Sequence, residues 1–179
     1  VQIRLQKVVG QDVEIESEAG PLRASSVELG GLSITTTGEK ALFADQSKGG
    51  MRFSVDSANV IGFSGLDATA GQIALSKAGG QFNEEGGGFT ASSLNASSFS
   101  SEGVDIGSTG LTGLHGAISQ SGKGYSSSIM AQGVNASGIE AASIGEVASV
   151  QGQGVRLGGS SLSDGSLTAS SLHATGIDT

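Results

Sequence analysis

The chain has 179 residues, enough for one domain with a real core, and carries 31 Gly, one Pro and no Cys. A net charge of −8 argues against binding a nucleic-acid backbone, which needs clustered Lys and Arg, and the missing Cys excludes disulfides and thiolate metal sites. No apolar run approaches the ~18 residues of a membrane helix, so no membrane insertion by this segment is expected.

Segment 1–21 reads as an N-terminal strand or cap: Ile3 with Leu5, Val8 with Gly10 and Val13 with Ile15 mark a faint beat of five. From 22 to 179 the chain reads as one repeat domain in which that beat is plain. A first block runs Leu22, Val27, Leu32, Thr37, Leu42 and breaks in the stretch 46–52. A second runs Phe53, Ala58, Phe63, Ala68, Ile73 and breaks over 76–88, where Glu84 and Glu85 lie among glycines. The third, Phe89, Leu94, Phe99, Val104, Thr109, Leu114, ends at 119–128. The fourth, Ile129, Val134, Ile139, Ile144, slips by one to Val150 and Val155 and breaks over 158–166. The last is Leu167, Leu172, Ile177. The four breaks, rich in Gly and Ser, are expected to be loops. In most pentads a second apolar or small residue follows two positions on, as in "FTASSLNASSF" at 89–99.

A period of five walks around a helix, but residues i and i+2 share one face of a strand. On a flat strand, Phe89 and Leu94 would then point to opposite faces. The chain must therefore turn after each inward couple, and the Ser and Gly between couples suit a corner, since Gly accepts positive φ and Ser can bond its own backbone. The predicted class is all-β: a β-solenoid (β-helix) with five-residue sides. The alternative is a long-stranded, curved antiparallel sheet with a bulge in each pentad; its strands of ~25 residues would far exceed the usual ~5–6.

Positions 22–177 resemble the pentapeptide-repeat proteins, which implies a four-sided right-handed β-helix. That family places the small residue two before the large one; here it follows, as in Leu94-Asn95-Ala96 and Leu172-His173-Ala174. Some members of that family mimic DNA with an acidic surface. The charge of −8 is compatible with that, but Asp and Glu are scattered along the chain. The Ala, Ser and Gly content is also similar to that of stalks and passengers of bacterial adhesins and secreted toxins.

Few residues suggest chemistry, and none is assigned a catalytic, cofactor-binding or metal-binding role. His115 and His173 fall at the outward place of their pentads and read as surface residues. "SGKG" at 121–124 lacks the Ser or Thr of a phosphate loop and reads as a turn. "GQGVRLGG" at 152–159 has glycines but no helix to follow, and "GGSSLSDGS" at 158–166 is a lone copy of a calcium-type nonapeptide. "NAS" at 95–97 and 135–137 forms glycosylation sequons that the repeat spells anyway. Glu39 and Glu146 fall at nominally inward places, where an unpaired carboxylate costs several kcal/mol, so a local frame error or an end-of-coil position is expected there.

The expected function is non-enzymatic and cofactor-free. It is a structural spacer or scaffold segment of a larger secreted or surface protein, bacterial and extracellular, with flanking domains and loop-bound proteins as partners. A chain that opens on Val1 without a signal peptide is read as a piece of something longer. The alternative is a module that offers a groove or sheet edge to an apolar ligand or a protein strand; an open, U-shaped antiparallel sheet would favour it. Leu94→Asp and Leu172→Asp are expected to abolish folding, and Asn95→Asp and His173→Asp to be nearly silent.

Overall fold

The computed structural model describes residues 1–16, 20–37, 50–65, 67–83, 86–121, 124–141, 145–159 and 166–178. Among these residues there is no helix. The strands are β1 (Gln2–Ile15), β2 (Leu22–Thr37), β3 (Gly50–Gly65), β4 (Ala68–Asn83), β5 (Gly86–Ser101), β6 (Val104–Ser121), β7 (Gly124–Ala141), β8 (Gly145–Gly159), β9 (Ser166–Thr168) and β10 (Ser171–Asp178). They form one open sheet in the order β1-β2-β3-β4-β5-β6-β7-β8-β10, every neighbour antiparallel, with β9 also on β8. Because both β9 and β10 lie against β8, with Ser170 N–H donating to Gln153 O at 3.0 Å between them, they act as one bent strand.

The all-β expectation is met, and the arrangement is the long-stranded antiparallel one. Instead of winding onward in coils, the chain reverses after each strand. The corners nevertheless exist. Between β5 and β6 the ladder pairs Ala91 with Leu114 and Ser93 with Thr112 but skips Ser92 and Gly113; further along it pairs Ser97 with Ser108 and Phe99 with Ile106 but skips Ser98 and Gly107. The register is the same on both sides of each gap. Every strand pair repeats this, with one or two residues skipped on each side, so two fold lines cross the sheet. Five residues of each strand lie between the lines, for instance 93–97 and 108–112. The sheet thus divides into a central panel and two arms.

At a fold line, inward residues are spaced three apart rather than two. Ala91 is buried with Leu94 packed against its cluster, and Leu114 is buried with Leu111 alongside. Two apart within a panel and three apart across a fold make the beat of five. Each inward couple is followed by a corner or by the reversal at the strand's end.

Register then stacks the couples in columns across the central panel. One column runs Val8, Leu29, Ala58, Leu75, Leu94, Leu111, Val134, Gly152, Leu172. The core is thin. One cluster of buried side chains, Val55, Ala78, Ala91, Leu114 and Ala131, lines the inside of one fold. Among the described residues no side chain is fully enclosed.

One expectation needs correction. The stretches 76–88 and 119–128 are mostly strand, since Asn83 pairs with Gly86 and Ser121 with Gly124, leaving two residues for each reversal. Glycine misled there because it makes room for rings. A Cβ on Gly80 would lie 2.8 Å from Phe53 Cε1 and 3.1 Å from Phe89 Cβ. Segment 1–21 holds a strand, one of its two expected forms: β1 pairs with β2 along its length and its residues join the same columns. Of the other expected loops, 46–49 and 160–165 lie outside the described residues.

Candidate functional site

The two faces of the sheet differ in chemistry because the couples differ from what lies between them. The convex face of the central panel is built mostly from Ser, Thr, Asn and Gln, with Val9 and Ile61 exposed among them. Hydroxyls of Ser108 and Ser137 bond at 2.8 Å, those of Ser149 and Thr175 at 2.7 Å, and Gln72 Nε2 donates to Asn59 Oδ1 at 2.7 Å. Asn95 and Asn135 flank Gly110, where a Cβ would stand 2.9 and 2.5 Å from their Oδ1 atoms. The two sequon asparagines therefore lie side by side over a glycine, exposed on this face.

The concave face is apolar but incompletely covered, with Leu29, Leu75, Leu94, Leu111 and Val134 half-buried. Near the end of one arm, Met51, Phe82, Gly87 and Ile118 line a depression of about 530 Å³ with Thr35, Arg52 and Gln81 beside them. Phe82 stacks on Phe53 with ring centroids 6.1 Å apart. Arg52 Nη2 donates to Gln81 Oε1 at 3.2 Å.

Among the described residues, β1 and β10 are the outer strands of the sheet. At β1 the edge is charged: Lys7 pairs with Glu28 at 2.9 Å, and Glu14 with Arg23 at 2.8 Å. The Glu14 hydrogen bond, and then its charge, raise the Arg23 pKa. At β10 every described residue is exposed, including Leu172 at 69% and Ile177 at 62%.

The sequence-flagged residues do not converge. His115 lies on an arm between Thr90 and Met130, and His173 in the central panel opposite Gln151; both are exposed. Among the described residues, no three His, Cys, Asp or Glu side chains could hold a metal ion together. Ser121 and Gly124 close a hairpin, and 152–159 is strand. Glu39, Glu84 and Glu85 lie outside the described residues. Glu146 is exposed and outward-facing while Val147 beside it is buried, so the frame there is shifted by one, as expected.

One feature was invisible without register. Asp105 stands opposite Glu140, Glu140 opposite Glu146, and Glu146 opposite Asp178, a row of four exposed carboxylates across four strands. Like charges directly opposite one another destabilise a sheet. Sequence alone scatters these residues over more than 70 positions.

No protein-family profile, curated protein or solved structure matches this chain.

Proposed function

We propose that this chain is a non-catalytic structural segment, a stiff spacer within a larger secreted or surface protein. The supporting observation is the column arrangement: among the described residues each strand contacts only its immediate neighbours, and the same inward couples run from β1 to β10. Such a stack is quasi-one-dimensional and gains length by adding strands. With neighbouring strands ~4.8 Å apart, it spans about 40 Å. The polar convex face fits this role.

The open antiparallel sheet with its two arms, the half-buried leucines and the depression beside Ile118 favour a second reading, a module whose groove takes an apolar ligand. Fluorescence of 1-anilinonaphthalene-8-sulfonate separates the two. The spacer reading expects the folded chain to leave the dye at its buffer emission. Saturable uptake that Ile118→Asp removes, with circular dichroism unchanged, would instead establish that groove.

A further inference from the structure

We propose that a hollow on the outer face of one arm binds an acidic polysaccharide, a chain of sugar rings that carry carboxylates. This goes beyond the spacer reading and does not depend on it. The arm is the one built from residues 2–5, 32–37, 50–55, 78–83, 86–91, 114–121, 124–131 and 155–159. Those segments hold Arg4, Arg52 and Arg156 and no Asp or Glu, although the net charge of the chain is −8. The row of four carboxylates lies on the opposite arm. By strand alternation Arg52, Gln81, Thr90 and His115 point away from the apolar face, and all four are exposed.

A hollow of about 550 Å³ lies among these four side chains. Arg52 and Gln81, joined by their hydrogen bond of 3.2 Å, form one wall. Thr90 and His115, opposite each other on β5 and β6, form the other. The floor is main chain, because Phe53 and Phe89 turn their rings to the concave face over Gly80 and Gly116. Gly79 and Gly88 stand where outward side chains would otherwise fill the space. Neither has a left-handed φ. A Cβ on Gly88 would meet Gly116 O at 3.1 Å and nothing else within 4 Å, and one on Gly79 would come nearest to Phe53 O, at 3.2 Å. Glycine weakens a strand interior and often marks a place where a ligand approaches the backbone closely. Corners explain Gly113 and ring contacts explain Gly80; neither explains Gly79 and Gly88, and a ligand lying on the floor does.

The walls indicate its chemistry. A guanidinium grips a carboxylate through two parallel hydrogen bonds, and among the described residues no carboxylate pairs with Arg52. The Gln81 amide and the Thr90 hydroxyl can each donate to and accept from sugar hydroxyls. The bases of a single-stranded nucleic acid would need aromatic faces to stack on, and both phenyl rings point the other way. A chain of sugars fits better than a single ring because the basic residues continue across the strands. Arg4, His115 and Arg156 share one row of the register, and Arg52 stands in the next. From Arg4 on β1 to Arg156 on β8 the row spans about 34 Å at ~4.8 Å per strand.

Fluorescence anisotropy of a labelled oligogalacturonate tests this. The folded chain is expected to bind it saturably, and more weakly as salt rises from about 0.01 M to 0.15 M. Arg52→Gln should lower the affinity at least about tenfold, and Arg156→Gln, outside the hollow, by less. Gly88→Thr should abolish binding by filling the hollow, with circular dichroism unchanged. Glu140→Gln, on the other arm, should leave the affinity as it is. No binding at millimolar oligogalacturonate, an affinity unchanged by Arg52→Gln or by a folded Gly88→Thr, or tighter binding of oligothymidylate would each overturn the proposal.

Discussion

At a fold line the backbone of each strand does something only once. Asp12, Gly31, Gly62, Lys77, Ser98, Gly113, Gly138, Gly154 and Gly176 have left-handed φ, and each is the second corner its strand reaches. Since neighbours run antiparallel, left-handed and ordinary corners alternate along both lines. Gly113 shows why glycine is favoured there: φ is 56°, and a Cβ would stand 2.5 Å from Gln132 Cδ on the neighbouring strand. Gly113→Ala is expected to lower stability by about 1–2 kcal/mol in urea titration, mostly from the left-handed backbone. Ser98 holds φ at 51° without that freedom, so Ser98→Gly should be neutral or stabilising by up to about 1 kcal/mol. At Ser92, an ordinary corner, Ala should change stability by less than about 0.5 kcal/mol. The sequence could not rank these sites, because Gly fills corners, ring contacts and convex positions alike.

Within a strand, the inward couples were legible and their depth was not. Leu94 pairs with Leu75 on one side and Leu111 on the other. Leu94→Asp should cost at least about 3 kcal/mol, a large share of the ~5–15 kcal/mol typical of a domain, and abolish the cooperative thermal transition. Asn95→Asp, one residue away and outward, should leave that transition within a few degrees. Leu172→Asp, by contrast, should not unfold the chain, because the side chain is 69% exposed at the sheet's edge; that expectation from the repeat is corrected. Edge position depends on how many strands the chain pairs and in what order, which no single pentad encodes. The acidic row is another property of register. Glu140→Gln is expected to stabilise by about 0.2–1 kcal/mol at low salt, with the gain fading toward 1 M salt; an equal gain at both would rule out repulsion as its cause.

Over the whole molecule, the choice between coil and meander lay hidden in the tightness of the reversals. Phe99 to Val104 keeps the beat of five although the chain turns back between β5 and β6, and Phe63 to Ala68 does so between β3 and β4. A corner and a short reversal leave the same mark on an apolar pattern, so the corners could be read and the direction of the next strand could not. Two fold lines crossing an antiparallel sheet in constant register are what hold the couples on one face. Cross-strand nuclear Overhauser contacts between the β5 and β6 backbones test this most directly. The account predicts an antiparallel ladder joining Leu94 to Leu111 and Ala91 to Leu114, interrupted at Ser92 and Gly113. A parallel ladder placing Asn95 beside the backbone of His115, one coil of about 20 residues further on, would contradict it.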